Sequence, residues 1–157
     1  MEQLFTTLAD RSDEQRGRQA EAEIQHRWMR SGSPTIDLLM GFAREAIDAK
    51  NEALALDYLD QVVMLKPDYA EGWNRRAMIF YRQDAYGKAL ADLEKVLALE
   101  PRHFGALAGL GYIFQQIDRK SDALAAFERA LALDPYLDDD IRDEVKRLKP
   151  DVEGRAI

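Results

Sequence analysis

The segment Ala89–Pro101, ALADLEKVLALEP, returns 34 residues later as Ala123–Pro135, ALAAFERALALDP, and stands 34 residues earlier as Ala55–Pro67, ALDYLDQVVMLKP. Leu65, Leu99 and Leu133 keep the same period. Alanine and proline sharing one spacing through three copies mark a repeat, with units at 36–69, 70–103 and 104–137.

The middle copy shows what each unit is. Trp73, Ala77 and Phe80 recur at helical spacing, and Ala89, Leu93 and Val96 do so again. Only the short polar stretch Gln83-Asp84-Ala85 separates the two runs, so the helices must be antiparallel neighbours. The closing proline lacks an N–H and pushes its predecessor out of the α region, which stops the second helix. A helix pair this small cannot bury its apolar faces alone. Stacking on the next pair does so and predicts a solenoid.

These residues resemble the tetratricopeptide repeat, whose pattern runs Trp/Leu, Leu, Gly/Ala, Tyr, then Ala, Phe, Ala and Pro. The third unit fits best, with Leu107, Leu110, Gly111 and Phe114 followed by Ala123, Phe127, Ala130 and Pro135. The second departs at Arg76, where a Leu is usual, and the first at Ala46, where a Tyr is usual. The glycine customary at the inter-helix turn is replaced by Lys50, Asp84 and Asp118, which predicts left-handed non-glycine residues there. The resemblance spans 102 of 157 residues. It implies an all-α, right-handed α-solenoid of three helix pairs with a capping helix at each end, similar to small bacterial proteins of this type, some of them exported. Small residues explain the close approach: Ala43, Ala77 and Gly111 on one helix meet Ala55, Ala89 and Ala123 on the other.

Residues 1–35 read as an amino-terminal capping region over the first pair. Leu4, Phe5 and Leu8 suggest a short turn of helix. Ser12 and Gln15 have capping-box spacing, opening a helix to about Arg30 with Ala20, Ile24 and Trp28 on one stripe. At the other end Ile141, Val145 and Leu148 make one apolar face on a helix over 138–149, with acidic residues at its start to suit the dipole. Residues 150–157 read as a frayed tail after Pro150.

Composition narrows the functions. With 22 Lys+Arg against 29 Asp+Glu the net charge is −7, opposite to what displaces counterions from phosphates, so no nucleic-acid partner is expected. There is no cysteine, hence no disulfide and no thiolate metal site. The longest uncharged stretch, Phe104 to Ile117, is 14 residues, short of the ~20 needed to span a bilayer. Met1 leads into Glu2-Gln3-Leu4-Phe5, which is no signal peptide, so the chain reads as cytoplasmic, or periplasmic if a leader was replaced. His26 and His103 lack metal-ligand spacing, and Gly109-Leu110-Gly111 lies within a helix rather than after a strand. No nucleophile–base pair is present, so neither enzyme activity nor a metal or cofactor is expected.

What remains is a surface. In tetratricopeptide-repeat proteins one stripe of each first helix lines the concave groove. Carried over, that stripe is Met40, Arg44 and Ile47, then Asn74, Arg75, Met78 and Tyr81, then Ala108, Tyr112 and Gln115. The tyrosines and methionines offer contact area, and Asn74 and Gln115 can pair with peptide amides. The expected role is a non-catalytic scaffold or adaptor holding a peptide or helix of another protein. A second reading is structural self-association into a homo-oligomer. The subclass that clamps chaperone carboxylates is disfavoured, because its positions carry Met40, Arg44, Arg75, Gly105 and Gly109.

Overall fold

The computed structural model describes residues 1–154 and is all-α, with nine helices and no strand among the described residues. They are α1 (Glu2–Ala9), α2 (Glu14–Met29), α3 (Pro34–Asp48), α4 (Glu52–Leu65), α5 (Ala70–Arg82), α6 (Tyr86–Leu99), α7 (Phe104–Gln116), α8 (Lys120–Leu133) and α9 (Asp139–Glu153). Two compact units result. One is Trp28–Pro101; the other joins Met1–Arg27 to the chain from Arg102 onward.

Within the first, continuous unit α3 pairs with α4, α5 pairs with α6, and α4 packs on α5. Ser33 starts α3 by accepting the Ile36 N–H, with Pro34 in the first turn. Ile36, Ala43, Ala46, Ala55, Leu59, Val62 and Ile79 form the core. The alanines keep the helices close; Ala77 and Ala89 are buried in the same way.

Within the second unit α7 pairs with α8, α8 carries α9, and α1 lies on α8. Gly111 is needed where it stands, since a Cβ there would overlap the Phe127 ring. His103 caps α7, its Nδ1 accepting the Ala106 N–H at 3.0 Å.

All three inter-helix turns close in the same way. Lys50, Asp84 and Asp118 adopt φ of 58°, 56° and 59°, as their replacement of glycine predicts. The next residue's N–H reaches back across the turn, Asn51 to Ala46, Ala85 to Phe80 and Arg119 to Phe114, at 2.8–2.9 Å. This is the Schellman closure, satisfying carbonyls left free at the helix end.

The amino-terminal helices differ from the expected cap over the first pair. α1 packs on α8, the second helix of the third pair. Arg102 lies over the Phe5 ring at 4.1 Å and pairs with Glu2 at 2.8 Å. The Tyr136 ring sits against Gly17, where no side chain would fit, and its hydroxyl donates to the Asp10 carbonyl at 3.1 Å. The helix start also shifts. Asp13 rather than Ser12 caps α2, accepting the Arg16 N–H, because Asp10 already holds the Ser12 N–H in a tight turn.

Helix α9 runs through Pro150 to Glu153 instead of stopping at residue 149. The extra turn is tied down by the Lys120–Asp151 ion pair at 2.8 Å. Residues 155–157 of the expected tail lie outside the described residues. Among the described residues no helix is long and apolar enough to cross a membrane.

Candidate functional site

Helix α3 places Met40, Arg44 and Ile47 on one face, at spacings of four and three. Together with Arg75 of α5 they line a cavity of about 460 Å³ in the continuous unit. Met29, Met40, Ile47 and Leu59 make its apolar lining, while Asp37 and Asp48 set two carboxylates beside the two arginines. The sequence stripe therefore gathers four of its ten members in one place. Asp37 and Asp48 were missed, though both continue the α3 stripe by one helical step. Met29 carried no signal, because nothing in the period of α2 says where its end docks.

Two contacts shape this cavity. The buried Tyr69 hydroxyl donates to the Met29 carbonyl at 2.5 Å, fixing the end of α2. Burial first, then the charges of Glu71 and Asp37, push the Tyr69 phenol far above its ordinary value, so it stays a donor. Arg75 is steered by Glu71 at 3.7 Å and donates to the Met29 sulfur at 3.5 Å.

The other stripe residues are distributed unevenly. On α5, Met78 is 45% exposed, Asn74 is half-buried, and the half-buried Tyr81 stands 5.9 Å from the Tyr86 ring. In the other unit Ala108 is buried, and Tyr112 is half-buried edge-on to Phe127 at 5.1 Å. Gln115 does not offer a free amide, since it donates to Glu144 of α9. Met40 is likewise buried, as the wall of a cavity rather than an open contact. Among the described residues no three metal-ligating side chains gather.

Residues 70–103 and 104–136 each match the sequence model of the tetratricopeptide repeat. Two tetratricopeptide repeats are thus matched over residues 70–136. A tetratricopeptide repeat-containing protein of Rhizobium etli is 43% identical over 93 residues, covering 59% of this chain and 46% of that protein, so the chain spans about half of that relative's length. Among solved structures, the first such domain of Spaghetti (RPAP3), bound to the HSP90 peptide SRMEEVD, has a TM-score of 0.72 at 17% identity, over 77% of this chain and 95% of that one. The Sgt2 domain of Aspergillus fumigatus has a TM-score of 0.70 at 20% identity, over 79% and 83%. MamA has 0.67 at 19%, over 75% and 64%. Each of these likenesses concerns the tetratricopeptide-repeat fold.

Proposed function

We propose that the chain is a non-catalytic interaction module that holds a peptide or helical segment of another protein against the first helices of its repeats. The observation that carries this is the cavity of Met40, Arg44, Ile47 and Arg75. An apolar floor with opposed charges at its edge suits a side chain flanked by peptide polar groups. Met78 extends apolar contact area along α5, and exposed methionine adapts to varied partners. The Spaghetti domain, with its bound peptide, supports the reading as a relative in fold. The test is capture of partners from the source cell by the immobilised protein, compared with Arg44→Glu and Met78→Ala. Both side chains are exposed, so these variants should melt like the wild type while the captured band fades. Undiminished capture by both variants would refute the site.

One observation favours self-association as a second reading. In α5, Gly72 faces Val62 and Arg76 reaches Asp60, both on the preceding α4. The matching positions of α3 are Leu38 and Phe42, and these stay 57% and 38% exposed. Light scattering across a concentration series separates the readings, because a concentration-independent monomer removes this one.

A further inference from the structure

In a chain of net charge −7, three cations converge on one cavity of about 460 Å³ in the discontinuous unit. Arg11 comes from the turn between α1 and α2, and Arg142 and Lys146 come from successive turns of one α9 face. Leu131, Pro135 and Val145 supply apolar walls, and the Tyr136 ring closes one side. Among the described residues its lining holds no acidic side chain, while at the rim Asp139 pairs with Arg142 at 2.9 Å and Asp143 with Lys146 at 3.6 Å. We propose that this cavity is a second binding site, for an acidic peptide segment that presents one bulky apolar side chain between carboxylates. It lies outside the first-helix stripes and does not rest on the groove reading.

Three features support that occupant. The walls are preformed: Tyr136 is held by the Asp10 carbonyl, by Gly17 and by Arg18 at 5.5 Å over its ring. Arg142 is likewise aimed by the Pro135 carbonyl and Asp139, so these two side chains cost little to order on binding. The volume fits one large side chain with its flanking backbone, at the lower end of ligand pockets. The charge fits carboxylates beside that side chain, since Arg11 and Lys146 are exposed, and the solvent-screened pair of Lys146 with Asp143 at 3.6 Å costs little to exchange for a ligand carboxylate.

Calorimetry on the full chain tests this with the unlabelled, end-blocked peptide Asp-Asp-Phe-Asp-Asp. Saturable binding that weakens as salt rises is expected, with Lys-Lys-Phe-Lys-Lys inert and Asp-Asp-Ala-Asp-Asp weaker. Arg11→Glu with Lys146→Glu should weaken binding about tenfold or more at an unchanged melting point. Should the double variant melt early, Lys146→Glu alone carries the comparison. Arg44→Glu, on the other cavity, should bind as the wild type does. The proposal is overturned if the wild type gives no saturable binding, if the charge-reversed chain binds equally, or if Arg44→Glu abolishes binding. Equal affinity for 3-phenylpropionate alone overturns the peptide assignment.

Discussion

Arg76 of α5 grips Asp92 of α6 through two parallel hydrogen bonds of 2.8 Å, with the carboxylate buried. The same pair of repeat positions holds Phe42 against Tyr58 in the first pair, 5.4 Å between ring centres, and carries Leu110 and Ala126 in the third. Arg76 and Asp92 thus place a charged pair at positions where the other two repeats carry uncharged pairs. The hydrogen bond to Asp92 is also the main reason its guanidinium is held above its ordinary pKa. Asp92→Ala alone should cost about 3 kcal/mol, because it strands a half-buried cation with only Asp60. Arg76→Leu with Asp92→Ala, the third repeat's pair, should restore most of that loss in a urea-unfolding cycle.

Lys50, at φ 58°, pays for a left-handed backbone without any compensating side-chain bond that glycine would forfeit. Lys50→Gly should stabilise by about 0.5–1 kcal/mol, the steric relief less the added chain entropy. Asp84→Gly should gain less, since aspartate tolerates the region and Asp84 accepts the Tyr86 hydroxyl at 2.9 Å. Equal gains at both sites would contradict this ordering.

Ala89 is fully buried where α5 and α6 touch. Ala89→Leu should cost about 1–3 kcal/mol by overpacking. Thermal melting reads the loss directly.

The two groove tyrosines should separate. Both are half-buried beside a ring, but that ring is Tyr86 for Tyr81 and the fully buried Phe127 for Tyr112. Tyr81→Ala should therefore cost less than Tyr112→Ala, whose edge contact alone is worth about 1 kcal/mol. If both melt early, neither is a surface anchor.

Asp134 is buried; one oxygen accepts the Tyr136 N–H at 2.9 Å and the other has no hydrogen-bond partner among the described residues. Burial pushes its carboxyl up, against the smaller pull of that N–H, Arg18 and Arg142. A raised folded-state value means the folded chain holds the proton more tightly. The group therefore costs stability once pH rises through its folded pKa, and costs none below the unfolded value of 3.8. Asp134→Asn keeps an acceptor for Tyr136. It should raise the melting point at pH 7 and lose that advantage as the buffer is acidified toward the unfolded value.

To test the chaperone-clamp subclass, SRMEEVD and a scrambled peptide of the same composition should bind this chain equally. The clamp positions of the third repeat carry Gly105 and Gly109, so no cation there can read the peptide's order. Sequence-dependent affinity by calorimetry would overturn the assignment.

The helix pairs were legible because their signals are local. Period, alanine placement and the missing turn glycines at Lys50, Asp84 and Asp118 each act within one or two turns of chain. The docking of α1 and α2 was not. Ala20 and Ile24 announce a buried face without naming its partner, and Gly17 inside a helix has no periodic meaning until Tyr136 stands against it. Pro150 misled because a proline's lost N–H matters little at an exposed final turn that an ion pair anchors. Of the stripe, Met40, Arg44, Ile47 and Arg75 line the cavity; the resemblance supplied these positions, and helical spacing put the α3 trio on one face. The engagement of Gln115 depended on α9, packed on α8, bringing Glu144 within reach, which no spacing within the repeat encodes.

The Tyr136 hydroxyl and the Asp10 carbonyl are 126 residues apart in sequence. Repeat arrays ordinarily fold by nearest-neighbour growth, with no contact waiting for a distant one. Here the first helix cannot reach its seat until the last pair exists. During synthesis α1 must therefore remain unseated, its Phe5 and Leu8 uncovered, until α8 has emerged. Refolding should accordingly end in a slow loop-closing step, absent from a chain that begins at Ser33.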